Sequence, residues 1–177
     1  MKIAIIGYSG AGKSTLAEKL SNYYSIPKLH MDTLQFQPGW QDSDREWMLT
    51  EMKKFLTKHE AWVIDGNYSW CCYEERMQEA DQIIFLNFSP WTCLFRAFKR
   101  YLTYRGKVRE SMAAGCPERF DWDFIRWILW DGRTKNAKER YQRFQETYPD
   151  KVIVLRSQKE MDHFLENLVH NKKNQRA

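Results

Sequence analysis

The feature that most constrains the fold is the stretch GYSGAGKS, which directly follows the apolar run KIAII. The stretch matches the pattern G-x-x-x-x-G-K-[ST] at each fixed position. Those positions are Gly7, Gly12, Lys13 and Ser14. The run before the stretch predicts a buried parallel strand, and apolar residues recur at helical spacing from Lys13 to about Tyr24. The sequence therefore predicts a glycine loop between a strand and a helix.

A loop in this context is typical of nucleoside triphosphate binding. Glycines let the backbone approach phosphate oxygens closely, and the backbone N–H groups with the helix N-terminus supply positive potential. Lys13 is expected to reach the outer phosphates and Ser14 to ligate magnesium. We therefore predict ATP and Mg²⁺ as cofactors. The predicted nucleotide contacts are Gly7, Ser9, Gly10, Ala11, Gly12, Lys13, Ser14 and Thr15.

The rest of the chain alternates apolar runs with helical patterns. The runs after KIAII are PKLHMD, AWVIDG, QIIFLNF and KVIVLRS. This alternation predicts an α/β fold with a five-stranded parallel sheet and ligands at the carboxyl ends of its strands. The predicted helices cover about 13–24, 44–59, 72–78, 90–104, one or two helices between 121 and 148, and 159–170. The polar tail after residue 170 is expected to fray.

Two aspartates fall at predicted strand ends. Asp65 ends WVID, as a Walker B aspartate does when it supports the magnesium shell, and this role is favoured over that of a turn residue before Gly66. Asp32 ends PKLHMD and is a candidate to accept a proton from, or to orient, an attacking hydroxyl. A capping or turn role for Asp32 stays open as the alternative.

Arginines are concentrated around a predicted lid at about 104–120, which contains glycine and lacks periodicity. Positive groups offset charge on a transferred phosphoryl group, and a closing lid excludes water. We expect two or three of the six arginines to contact phosphate, with Arg105 and Arg109 as the first catalytic candidates beside Lys13 and Asp32. The six are Arg96, Arg100, Arg105, Arg109, Arg119 and Arg133.

Aromatic residues are abundant, with eight tryptophans in 177 residues. Trp122, Trp127 and Trp130 lie in a helical stretch, which predicts that they pack in the core. Trp40 and Tyr68 lie in strand-end loops and are better candidates to contact an acceptor. His30 is predicted to be a packed strand residue.

Together these residues resemble the P-loop kinases of the adenylate kinase and shikimate kinase type. Within that group the chain resembles the bacterial DNA topology modulation proteins over nearly its whole length. The matching segments include GYSGAGKSTLAEKL, LHMDTLQFQPGW, the DGNY segment and GCPERFDW. The resemblance implies an ATP site, an acceptor site over the second and third strands, an arginine-bearing lid and an adenine-contacting loop near Arg156 to Gln158. The acceptor motifs of adenylate kinase are not found in residues 30–80, so AMP is not the expected acceptor.

Length and composition bound the remaining possibilities. A chain of 177 residues matches one domain, here 1–177, and no stretch has the roughly 18 to 20 apolar residues of a membrane span. The four cysteines fit neither a zinc spacing nor a disulfide scaffold, which favours reduced thiols and a cytoplasmic location. The net charge of +5 suits either a polyphosphate site or nucleic acid.

The leading hypothesis is therefore a magnesium- and ATP-dependent kinase of a small hydroxyl- or phosphate-bearing acceptor. A nucleotide-regulated DNA-binding protein is the alternative, suggested by the basic segment FRAFKRYLTYRGKVR and by the family resemblance. A third hypothesis is an ATPase switch without an acceptor. The sequence leaves the acceptor and the oligomeric state open.

Overall fold

The computed structural model describes residues 1–174, with side chains described up to residue 170. Its strands are β1 (Lys2–Gly7), β2 (Lys28–His30), β3 (Phe36–Gln37), β4 (Gln41–Asp42), β5 (Trp62–Asp65), β6 (Gln82–Leu86) and β7 (Val152–Leu155). Five of them form one parallel sheet in the order β2-β5-β1-β6-β7, and β3 and β4 form a separate antiparallel hairpin. The predicted five-stranded parallel sheet is thus confirmed.

Eight α-helices and a short 3-10 helix, Asp131–Arg133, connect and cover these strands in the described part of the chain. The α-helices are α1 (Lys13–Tyr24), α2 (Asp32–Gln35), α3 (Arg45–Lys58), α4 (Tyr73–Glu79), α5 (Pro90–Tyr104), α6 (Trp122–Leu129), α7 (Lys135–Thr147) and α8 (Gln158–Asn174). Side-chain caps explain where two of these helices begin. The Asp44 carboxylate accepts from Trp47 N at the start of α3, and the Ser89 hydroxyl accepts from Thr92 N at the start of α5, whose first residue is Pro90. No helix among residues 1–174 is long and apolar enough to cross a bilayer.

The core lies on both faces of the central strands. Each of residues 3–6 of β1, 62–65 of β5 and 83–86 of β6 is buried. Helices cover both faces of such a sheet, so these strands lose the alternation of apolar and polar residues that an exposed face would require. The register places Ile5 beside Asp65 and Gly7 beside Leu86, so the ends of three strands meet at one edge.

The structure corrects three sequence predictions. Strand β2 ends at His30, and Asp32 begins the short helix α2 instead of ending a strand. The turn-rich segment after α2 contains the β3–β4 hairpin. Each of its strands has two residues, which is too short for a periodic pattern to predict a strand. Helix α8 continues to Asn174 through residues expected to fray, and residues 175–177 lie outside the described part of the chain.

The three tryptophans predicted for the core are exposed. Trp122, Trp127 and Trp130 have exposed fractions of 68%, 50% and 57%. That prediction was wrong because α6 lies on α5 at the surface, and only Ile128 of α6 is buried. An aromatic helical run shows that apolar surface is present, but not which element covers it.

Candidate active site

The phosphate loop leaves β1 at Gly7 and enters α1 at Lys13. Gly10 and Gly12 have φ angles of 80° and 99°, which only glycine adopts without strain. A Cβ atom on Gly10 would lie 2.5 Å from the carbonyl oxygen of Cys93, so α5 packs directly against the loop. The glycines are therefore required both by backbone conformation and by close packing.

The side chain of Lys13 lies back over its own loop. Its Nζ donates to the carbonyl oxygens of Gly7, at 3.0 Å, and of Tyr8, at 3.3 Å. Burial lowers the pKa of Lys13, and the carboxylates of Asp32 and Asp65 oppose that effect. Both aspartates predicted from the strand ends thus act electrostatically on this ammonium group.

Ser14 and Asp65 meet across the sheet edge. The Ser14 hydroxyl donates to Asp65 Oδ2 at 2.9 Å, while Asp65 Oδ1 lies 2.5 Å from His30 Nδ1. His30 and Asp65 are register partners on adjacent strands, so their side chains project to the same side. Both residues are buried. His30 is packed as predicted, and its contact with Asp65 is a partnership that sequence reasoning missed.

The loop after β5 is held by the buried Arg76 of α4. Its guanidinium donates to the carbonyl oxygens of Gly66, Tyr68, Cys71 and Cys72. This places the Tyr68 hydroxyl to donate to Asp32 Oδ1 at 2.7 Å. Burial, with the adjacent Asp32 carboxylate, raises the pKa of Tyr68, so the phenol stays protonated. Tyr68 therefore orients the candidate acceptor-side carboxylate.

Glu118 pairs with two arginines, one in α5 and one in the predicted lid. Its carboxylate accepts from Arg100 Nη2 at 2.6 Å and from Arg109 Nε at 2.5 Å. The Glu118 side chain is only 3% exposed. Burial lowers the pKa of Arg100, as does the neighbouring charge of Arg109, while Glu118 and Asp32 act in the opposite direction. One buried carboxylate thus holds two guanidinium groups in a fixed arrangement.

The lid segment is docked on the β3–β4 hairpin. Gly39 N donates to Gly115 O at 3.0 Å, and the Trp40 indole donates to Pro117 O at 3.1 Å. The cluster beneath these bonds is formed by Met112, Ala113, Cys116, Phe36 and Trp40. The hairpin and the predicted lid therefore form one small unit, and Trp40 is one of the residues that join them.

The other arginines divide into two groups. Arg96 forms a hydrogen bond with Gln158, in the predicted adenine-contacting loop, and lies against Gly12. The Cζ atom of Arg133 lies 3.7 Å from the centroid of the Tyr8 ring. By contrast, Arg105 is exposed at the end of α5, and Arg119 pairs with Asp121 at 2.5 Å. The structure brings Arg96, Arg100, Arg109 and Arg133 to the phosphate-loop and lid region, places Arg119 over the Trp40 ring, and leaves Arg105 at the surface.

Sequence reasoning also missed contacts made by Asn67, Glu118 and Trp127. Asn67 bonds Gly7 twice, and the Trp127 indole donates to Ser9 Oγ at 3.0 Å. Asn67 lies in DGNY and Glu118 in GCPERFDW, the two segments singled out by the family resemblance. Those two segments indicate the part of the chain in which such contacts occur, but the sequence does not show which residue of each segment makes them.

The Ser14–Asp65 pair suits a magnesium ion chemically. A hydroxyl oxygen and a carboxylate oxygen are hard donors, which Mg²⁺ prefers, and one or two protein ligands leave room for water and phosphate oxygens. The adjacent His30 fixes the orientation of the carboxylate in the way that outer partners orient metal ligands.

Comparisons with known proteins address the fold. No protein-family model matches the chain, and no curated protein sequence matches it. Solved structures do match over nearly the full length. A deoxyadenosine kinase from M. mycoides with bound dATP is 19% identical, with a TM-score of 0.52, covering 98% of this chain and 100% of that one. The chain has a P-loop kinase fold.

Two further kinase structures agree with this fold. A gluconokinase from Sinorhizobium meliloti is 18% identical with a TM-score of 0.51, covering 98% of this chain and 96% of that one. A shikimate kinase from Bacteroides thetaiotaomicron is 18% identical with a TM-score of 0.52, covering 98% of both chains. Identities this low establish the fold alone, so the resemblance to the DNA topology modulation proteins stays a prediction.

Proposed function

We propose that the chain is a magnesium- and ATP-dependent kinase that transfers the γ-phosphoryl group to a small acceptor. The observation that carries the proposal is the 2.9 Å hydrogen bond between Ser14 and Asp65 at the end of a phosphate loop whose Lys13 lies near Asp32. This arrangement supports a shared site for phosphate, metal and acceptor. The backbone N–H groups of the loop would hold the phosphates, with Lys13 on the outermost ones.

The metal would be held by Ser14 and Asp65, and when bound it would neutralise charge on the phosphate oxygens. Asp32 would accept the hydroxyl proton as the acceptor oxygen bonds to the γ-phosphorus and the bond to the ADP oxygen breaks. Because Tyr68 holds Asp32 Oδ1, we assign Oδ2 to the acceptor. Arg100 and Arg109 would stabilise the charge of the transferred group.

The acceptor should be small and hydroxylated, with an anionic group. The hairpin and the predicted lid are joined to each other, and over the proposed acceptor site this unit would favour an enclosed molecule rather than the end of a polymer. Two guanidinium groups share one carboxylate, so they retain positive charge that suits a phosphate or carboxylate on the acceptor. Arg105, exposed at the start of the lid, is proposed to add to this charge when the lid moves.

The test is incubation with Mg²⁺ and ATP against nucleoside monophosphates, nucleosides, sugars and hydroxy acids, with products identified by mass spectrometry. Lys13→Ala should abolish the product, whereas Lys19→Ala, which changes an exposed lysine on the same helix, should not. A Lys13→Ala protein that phosphorylates normally would contradict the assignment. Formation of only ADP and free phosphate would favour the ATPase switch.

The DNA-binding alternative depends on fewer basic residues than the sequence suggests. In the basic segment after β6, Arg96, Arg100 and Arg109 are engaged by Gln158 or Glu118. The exposed cations there are Lys99, Arg105 and Lys107. Binding through these residues should weaken steeply with salt, so a duplex titration at two salt concentrations tests it. No binding at low salt would eliminate this alternative.

A further inference from the structure

Helix α5 carries a row of large apolar side chains on its outer side, which we call the outer seam. Its members are Trp91, Phe95, Phe98 and Leu102, with exposed fractions of 69%, 69%, 43% and 57%. The opposite side of the helix, at Cys93 and Ala97, is buried against the rest of the chain. A helix that is apolar on both sides is normally covered on both sides. Within residues 1–170 the outer seam is therefore an apolar surface that the rest of the chain leaves largely exposed.

The spacing of the outer seam indicates the shape of what covers it. Successive members are four, three and four residues apart, which is the a/d spacing of a heptad seam. At about 100° per residue the four side chains fall within roughly 60° of one another, a narrow stripe that fits between the side chains of another helix. The spacing therefore favours a helical partner.

The charges beside the outer seam disfavour a lipid surface. Helices that lie on membranes carry Lys and Arg on the face beside the apolar one. Along α5 the residues flanking the outer seam are Thr92, Leu94, Lys99 and Tyr101, of which only Lys99 is charged, and the exposed Arg105 follows the end of the helix. Arg96 and Arg100 are instead directed to Gln158 and Glu118 within the chain. The outer seam thus has few exposed cations along its length, which suits a helix–helix contact better than an anionic lipid surface.

We propose that the outer seam is covered by the same seam of a second copy of this chain, in a two-fold symmetric dimer with antiparallel α5 helices. A two-fold axis places one patch against itself, which a heptad-spaced seam can satisfy. Among residues 1–170, no other helix exposes four large apolar residues at this spacing. This inference does not depend on the proposed function.

The apolar area is of the order that a dimer needs. Phe98 contacts Phe120 at a ring-centroid distance of 5.3 Å, which connects the seam to the segment leading into Trp122, itself 68% exposed. With roughly 200 Å² for each large side chain, the exposed part of the seam and Trp122 amounts to roughly 600 Å². A standard interface buries about 800 Å² on each subunit, and flanking residues supply the remainder.

The experiment is sedimentation equilibrium of the full chain over a wide range of protein concentration. We expect a mass of twice 21.4 kDa for the wild type. Phe95→Glu places a charge in each half of a symmetric seam and should raise the dimer dissociation constant by at least roughly 100-fold. Trp47→Glu is the matched control, because it changes a 45% exposed tryptophan on α3, and it should stay dimeric.

Circular dichroism of each variant separates loss of the dimer from loss of the fold, and Leu102→Lys replaces Phe95→Glu if that variant does not fold. A wild type that is monomeric at every concentration overturns the proposal. So do seam variants that remain fully dimeric, or a control that dissociates equally. A monomer that sediments with anionic phospholipid vesicles, or that binds a single-stranded oligonucleotide, would assign the seam to lipid or to nucleic acid.

Discussion

Asn67 and Gly7 are joined by two reciprocal hydrogen bonds. Gly7 N donates to Asn67 Oδ1 at 3.0 Å, and Asn67 Nδ2 donates to Gly7 O at 2.5 Å. The pairing of β1 with β5 extends to Ile5 and Asp65, so the Asn67 amide continues the connection between the strands beyond the backbone ladder. The same Gly7 carbonyl accepts from Lys13. The first residue of the phosphate loop is therefore fixed from both sides.

Asn67→Ala should weaken both the fold and nucleotide binding. It leaves the N–H and C=O of buried Gly7 without these partners, which should lower the free energy of unfolding by about 1–3 kcal/mol. Urea unfolding and an ATP titration measure the two effects. Asn136→Ala, at an exposed position of α7, should change neither. Equal behaviour of the two variants would show that the Asn67 contacts do not position the loop.

His30 should act on the magnesium requirement through Asp65. His30→Leu removes the group that contacts Asp65 Oδ1 and should raise the Mg²⁺ concentration for half-maximal activity by roughly 10–100-fold. In His30→Asn the amide nitrogen takes a position close to that of Nδ1, so much of this loss should be restored. The measurement is a Mg²⁺ titration at saturating ATP. If His30→Leu and His30→Asn raise the required Mg²⁺ concentration equally, His30 serves only in packing.

Glu118→Gln should damage the arginine arrangement of the lid. It removes the charge that pairs buried Glu118 with Arg100 and Arg109, and breaking a buried ion pair from one side costs about 3–5 kcal/mol. We expect a lower free energy of unfolding and a higher KM for the acceptor. Glu110→Gln is the control, since that lid carboxylate is 82% exposed and lies 3.4 Å from Lys28. A loss of stability with unchanged KM would restrict Glu118 to a structural role.

Cys71 should make the fold less stable as the pH rises. Burial raises the pKa of its thiol from 9.0 to about 11. Between these values the unfolded chain loses the proton while the folded chain keeps it, so the free energy of unfolding falls by up to about 1.4 kcal/mol per pH unit. Below pH 9 the contribution is constant. Urea unfolding across this pH range should show that the free energy of unfolding falls less steeply with pH in Cys71→Ala than in the wild type. If the two plots of free energy against pH are parallel, the assignment is contradicted.

The central sheet and the phosphate loop could be predicted because their causes are local. An apolar run, a glycine pattern and a helical period each act within a few neighbouring residues, so Gly7, Lys13 and Ser14 are identifiable from the order of residues alone. Asp65 was also identifiable, since a carboxylate after a buried strand must lie at the ligand-binding edge of a parallel sheet. Pro90 likewise marked the start of α5.

Tertiary structure decided which distant residues meet. Asn67 is 60 positions from Gly7, and Arg100 is 18 positions from Glu118, so neither contact leaves a periodic trace in the sequence. Asp32 was assigned to a strand because its residue type does not distinguish a strand end from the first turn of a helix.

The exposure of Trp91 and Trp122 is likewise set by the tertiary structure. The sequence by itself determined the composition of each helix, the phosphate loop and the order of the strands along the chain. Only packing determined which apolar faces were covered and which carboxylate held which arginine, because burial depends on the arrangement of all elements at once.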